Sequence, residues 1–300
     1  MSEGTVIQWF PGHMAKTRRK ITESLSLVDA VVEITDARIP VSSRNPELAG
    51  IIVNKPLIIL LNKSDMADPS ETAKWIKKLS NDGITALAMD CRSGKGVSAF
   101  PAAVREVLKE KIEQNKAKGM VGKPLRIMVV GIPNVGKSSF INRLCKSGKA
   151  KVEDRPGVTR SNQWFKVDNG LELLDTPGVL WPKFDDPTVG VRLACTGAVK
   201  DSVMDIETLA VNFINEVKYR YGHLLEERYK FTLDKDAEAY DILCDIGRKR
   251  GMVIRGGEID TERAAVMLMD EYRAGKIGKT TLDSADEKDS ADEKGEESDA

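Results

Sequence analysis

The sequence predicts an α/β fold, a mostly parallel sheet with helices on both faces, followed by a separate helical region. Three observations predict it. Short apolar runs alternate with helical patterns over the first two thirds of the chain, turns rich in glycine or small polar residues follow several of those runs, and after about residue 200 only helical spacing remains.

Taken in order, AVVEITDA (30–37), PLIILLNK (56–63), ITALAMD (84–90) and LRIMVVG (125–131) read as buried parallel strands. ETAKWIKKL (71–79) and FPAAVREVLKEKIEQNKAK (100–118) lie between them with helical spacing. QWFKVD (163–168) and LELLDT (171–176), joined by Asn169-Gly170, predict a hairpin. Lys116 to Lys123 reads as a polar, glycine-containing linker. Residues 200–278 carry three helical patterns and read as their own domain. The expected division is a basic segment at 1–25, an α/β domain at 26–199, the helical domain at 200–278 and a disordered acidic tail at 279–300.

Composition bounds the reading. Of 300 residues 41% are hydrophobic, enough for a real core, and 46 basic residues balance 46 acidic ones. The balance hides a split: Asp283–Ala300 holds nine acidic and two basic residues, a net of −7, so residues 1–282 carry +7. A mildly basic body leaves room for a polyanionic partner. The four cysteines have no metal or redox spacing and read as reduced thiols. With no signal-peptide core and no apolar run of membrane-spanning length, the expectation is a cytoplasmic protein with no membrane partner.

The chemistry lies in the turns. Gly131-Ile132-Pro133-Asn134-Val135-Gly136-Lys137-Ser138, followed by Ser139, matches the phosphate-loop pattern between a strand and a helix. Its backbone N–H groups and helix N-terminus suit phosphate oxygens, Lys137 suits the β- and γ-phosphates, and the Ser138 hydroxyl suits magnesium. Asp175-Thr176-Pro177-Gly178 ends the next strand, offering a carboxylate toward magnesium and a Gly178 N–H toward the γ-phosphate. Thr159 is the candidate threonine that closes over the metal. Asn62-Lys63-Ser64-Asp65 then selects the base, because the Asp65 carboxylate can accept from both N1–H and the exocyclic amine of guanine, a pair adenine cannot donate. The turn after the third strand, Met89 to Gly94, suits a backbone contact to the guanine oxygen at Cys91. Together these motifs predict GTP with Mg2+.

The base reader precedes the phosphate loop, the reverse of the usual order in GTP-binding domains. A doubly wound sheet tolerates this, because a short linker such as 116–123 can join the old ends while new termini open elsewhere. WFPGHMAK, TDARIP-x-SSRNP, NKSD, GIPNVGKSS, PGVTR and DTPG, in this order over about residues 7–280, resemble the ribosome biogenesis GTPase A (YlqF-type) family of circularly permuted GTPases. The resemblance implies a cytoplasmic GTPase that acts late in assembly of the large ribosomal subunit, with a helical domain touching ribosomal RNA.

Val179 stands where many GTPases place a water-orienting glutamine, so another group must act. His13 is the candidate; the resemblance implies catalysis, while its basic surroundings also suit an RNA contact. Asn134 resembles the asparagine of GTPases that use a stimulatory potassium ion, K+. RNA-contact candidates are Lys16, Arg18, Arg19 and Lys20, and Arg248, Lys249, Arg250 and Arg255. A monomer is expected. Two alternatives to the large-subunit switch stay open: a GTP-dependent RNA-binding scaffold with incidental hydrolysis, and a sister permuted GTPase of the small subunit.

Overall fold

In a computed structural model, residues 11–146, 163–167, 170–178, 186–199 and 204–286 are described, without the side chains of 11–17, Ala49 and Lys146. Six strands, β1 (Ala30–Asp36), β2 (Leu57–Asn62), β3 (Thr85–Ala88), β4 (Leu125–Val130), β5 (Gln163–Val167) and β6 (Leu171–Asp175), form one sheet in the order β3-β2-β1-β4-β6-β5. All pairings are parallel except β5 with β6, which is the expected hairpin.

The central strands are apolar because both faces are covered. Every residue of β1 is buried, including Glu33 and Asp36, and β2 is buried from Ile58 onward. Ala30, Val32 and Ile34 face one core with Ile127, Val129, Phe100 and Phe140. Val31, Met128, Val130 and Leu174 face the other with Ile21, Leu48 and Ile52. The helices are α1 (Pro11–Leu25), α2 (Pro46–Ile52), α3 (Pro69–Asn81), α4 (Phe100–Val107), α5 (Lys109–Ala117) and α6 (Lys137–Lys146). Asn45-Pro46 and Asp68-Pro69 start α2 and α3 in the same way: a side-chain oxygen accepts from the first turn, and proline supplies a preset φ. The single helix expected over 100–118 is broken at Leu108 into α4 and α5. Chain from Lys118 to Pro124 then joins α5 to β4, where the permutation requires a join.

After β1 the chain moves outward through β2 to β3, and after β4 it moves to the opposite side through β5 and β6. The carboxyl ends of β1 and β4 therefore flank a topological switch point, where open α/β sheets bind ligands.

Five further helices lie among the described residues: α7 (Pro187–Cys195), α8 (Ile206–Val217), α9 (Gly222–Tyr229), α10 (Ala239–Lys249) and α11 (Thr261–Arg273). The helical region begins earlier than expected, since α7 packs on α8 and α11 and places its boundary before Pro187 rather than at 200. Phe213 and Tyr272 meet at its centre with ring centroids 4.4 Å apart.

The tail expectation needs a larger correction. Thr280, Thr281, Leu282 and Asp283 are buried, not disordered. Asp283 accepts from the N–H groups of Val41 and Ser42, both at 2.7 Å, from the Ser42 hydroxyl at 2.6 Å and from Arg192 at 3.0 Å. Its carbonyl takes the Trp75 indole N–H at 3.0 Å. Polar composition misleads here because the strap is held by hydrogen bonds more than by apolar area. Residues 287–300 lie outside the described residues.

Candidate functional site

β4 delivers the phosphate loop to the switch point, and two glycines set its shape. Gly131 and Gly136 have φ of 147° and 102°, and a Cβ on Gly136 would collide with the Asn62 amide. Pro133, Asn134, Gly136, Lys137, Ser138 and Ser139 line a cavity of about 610 Å³, closed on its other side by Thr176, Pro177 and Gly178. The Thr176 hydroxyl donates to the Val129 carbonyl at 2.7 Å, fixing the turn after β6 to the strand that feeds the loop. Gly178 approaches the loop closely: a Cβ there would stand 2.8 Å from Lys137 Nζ and 3.0 Å from Pro133 N.

Lys137 Nζ donates to the carbonyls of Gly131 and Ile132, both at 2.9 Å. Burial pulls its ammonium down to about 8, against the opposing pull of Asp175. A half-buried ammonium whose hydrogen bonds among the described residues go to carbonyls is poised to gain from phosphate.

Asn62 joins the two halves of the site. Its Nδ2 donates to the Val135 carbonyl at 2.7 Å, and its Oδ1 accepts the Cys91 N–H at 3.0 Å. The Cys91 N–H expected to face the base is thus engaged by Asn62. Lys63 has a φ of 60° and pairs with Asp36 at 2.9 Å. Asp65 Oδ2 pairs with Arg92 at 3.1 Å, while Oδ1 is buried with no hydrogen-bond partner among the described residues. A buried, unsatisfied carboxylate oxygen costs stability, and a guanine N–H is the kind of donor that relieves it.

Several contributors were missed from sequence. Asp36 and Arg38 form a buried pair beside Lys63. Arg143 donates from α6 to the Cys91 carbonyl at 3.3 Å and also to the Arg92 carbonyl, bracing the base turn. Charged residues at and just beyond the end of a buried strand were the available signal for the first pair. For Arg143, one basic residue on an amphipathic helix gave none.

The hard-oxygen donor set of Ser138 and Asp175 suits magnesium. For potassium, Asn134 Nδ2 donates to Gly197 at 2.7 Å, which leaves its Oδ1 as the polar atom of the type that ion takes. Among the described residues no cluster of three His, Cys, Asp or Glu side chains could hold a metal by itself. Thr159 and Val179 lie outside the described residues. α1 includes His13 and Lys16, whose side chains are likewise not described. Ile21, near the end of α1, packs against Val31 and Met128 of the sheet. Arg18 and Arg19 are exposed, with Arg19 paired to Glu23, and Lys20 is half-buried. Arg248, Lys249, Arg250 and Arg255 are exposed, although Arg248 pairs with Asp245 and Arg250 lies over the Tyr229 ring.

This fold and site define a circularly permuted GTP-binding domain joined to a helical domain. Residues 126–235 match the family model described as 50S ribosome-binding GTPase. The chain is 49% identical to ribosome biogenesis GTPase A of Priestia megaterium, covering 94% of this chain and 98% of that one. It is 50% identical to ribosome biogenesis GTPase A of Bacillus licheniformis, covering 91% and 96%. A GDP-bound structure of TM YlqF is similar with a TM-score of 0.67 at 26% identity, covering 90% of this chain and all of that one. GNP-bound YlqF from T. maritima is similar with a TM-score of 0.62 at 25% identity, covering 91% of this chain and all of that one. The chain belongs to the ribosome biogenesis GTPase A family.

Proposed function

We propose that this protein is a GTP-hydrolysing assembly factor that binds the large ribosomal subunit late in its maturation and leaves after hydrolysis. Membership of the family supports the large subunit, and the buried Asp65 oxygen is the observation that supports guanine. Asn62 holds the base and phosphate loops in register, while Lys137 exchanges the Gly131 and Ile132 carbonyls for β- and γ-phosphate oxygens. Ser138 and Asp175, with Thr159, would hold magnesium, which neutralises charge on the transferring phosphoryl group. Potassium beside Asn134 would add positive charge between the phosphates. His13 orients the attacking water in place of the missing glutamine, a role that rests on family membership. Exposed Arg18, Arg19, Arg248, Lys249 and Arg255 supply contacts to RNA phosphates. The protein works as a cytoplasmic monomer; no helix among its described residues is long and apolar enough to cross a membrane.

Co-sedimentation with separated subunits at fixed salt, with a non-hydrolysable GTP analogue, GDP or no nucleotide, tests this reading. Analogue-dependent binding to the large subunit alone is expected. Small-subunit binding points to the sister-family role, and nucleotide-independent binding to both leaves only a GTPase with basic surfaces.

A further inference from the structure

The loop after β1 touches the base-reading segment on one side and the helical domain on the other. Asp36 ends β1 directly opposite Asn62 in the strand register, and its carboxylate is fully enclosed. Arg38 grips it bidentately, with Nε 3.0 Å from Oδ1 and Nη2 2.8 Å from Oδ2, and the Arg38 N–H adds a third bond at 3.0 Å. Lys63 Nζ meets the same carboxylate at 2.9 Å. Burial by itself would push the Asp36 carboxyl up, but the two cations outweigh it and hold it well below the usual carboxylate range. Arg38 is itself buried, which disfavours its charge; Asp36 more than restores it. The outer face of Arg38 belongs to the helical domain. Its Nη1 donates to the Tyr272 carbonyl at 3.4 Å, its guanidinium lies 5.0 Å from the centroid of the Tyr272 ring, and its carbonyl accepts the Leu282 N–H at 2.7 Å.

This arrangement holds far more charge than packing requires. Apolar residues of similar volume can often replace a buried ion pair at little cost, whereas a buried carboxylate shared by two cations fixes both of them in space. One is Lys63, strained at φ 60° between Asn62 and Asp65. We propose that Asp36 and Arg38 are positioning residues for guanine recognition, and that Arg38 makes the set of the Lys63–Asp65 segment depend on how α11 and the strap after it are docked. The proposal rests on reading Asn62–Asp65 as the guanine reader. Helical-domain docking then bears on base retention from the guanine side of the site, separately from any route through the γ-phosphate.

The test uses the full chain with fluorescently labelled GDP, IDP and ADP, comparing the parent protein with Arg38→Met and Arg38→Lys. IDP lacks the exocyclic amine, so the GDP-to-IDP affinity ratio reports how well Asp65 is aimed. Arg38→Met is expected to speed GDP dissociation about tenfold and to bring the ratio toward one. Arg38→Lys keeps the charge but not the planar fork, so it preserves folding and restores part of both. A melting temperature that falls while the GDP dissociation rate and the ratio stay at parent values would make Arg38 a packing residue and overturn the proposal. A parent protein that does not prefer GDP over ADP would remove the guanine reading beneath it.

Discussion

The side-chain amide of Asn134 donates to the carbonyl of Gly197 at 2.7 Å, so the phosphate loop is tied directly to the turn that ends α7. That turn is held in its place by α11, because Arg273 donates to the carbonyls of Ala194 at 2.9 Å and Cys195 at 3.2 Å. An asparagine with a φ of 61° thus lines the phosphate-loop cavity on one side and meets helical packing on the other.

Asn134→Ala removes both roles. The hydrogen bond to Gly197 is worth about 1 kcal/mol, so stability falls modestly. Turnover of the parent in potassium chloride should exceed that in sodium chloride, and the variant should lose the difference. Equal parental turnover in the two salts would end the case for potassium.

Lys137 predicts a pH dependence. In the nucleotide-free protein burial holds its ammonium at about 8, and bound phosphates favour the charged form, so the bound value is higher. Binding therefore takes up a proton above about pH 8, and affinity declines as pH rises through that region. Calorimetric titration at alkaline pH in buffers of different ionisation enthalpy reads the uptake directly. Identical heats in all buffers would contradict it.

Gly136→Ala should cost nucleotide affinity while sparing the fold. A Cβ there meets the Asn62 amide, and φ of 102° adds backbone strain of about 1–3 kcal/mol. A roughly ten- to hundredfold weaker GDP affinity, with an unchanged circular dichroism spectrum, is the expected result.

Two truncations separate the strap from the chain beyond it. Ending the protein after Asp286 should leave denaturant unfolding unchanged within about 0.5 kcal/mol. Ending it after Gly278 removes Asp283, leaves Arg192 with Glu216 alone of its two carboxylate partners, takes the acceptor from the Trp75 N–H and uncovers Arg38; a loss of about 3–5 kcal/mol is expected.

His13→Ala should bind GTP like the parent and lose most of its subunit-stimulated turnover. If His13 is only an RNA contact, the variant will instead bind subunits more weakly and regain full turnover at saturating subunit concentration.

The sequence by itself determined the local chemistry. Strands β1, β2 and β4 were legible because burial on both faces leaves runs that are mostly apolar, with few polar interruptions such as Glu33 and Arg126. The phosphate loop, Asn62–Asp65 and Asp175–Gly178 were legible because each task requires particular residue types at adjacent positions in one turn. Their reversed order even revealed the permutation. Tertiary structure decided what joins distant segments. Asn62 bonds to Val135 seventy-three residues away, Asn134 to Gly197 sixty-three away, and Arg38 to Tyr272 across 234. No local pattern encodes such pairs. The strap at 280–283 shows the same limit, since polar composition predicted disorder and only the waiting donors of Val41, Ser42, Trp75 and Arg192 made order favourable. Motifs record what a turn must contact; burial of a polar group is decided by partners that only the fold brings to it.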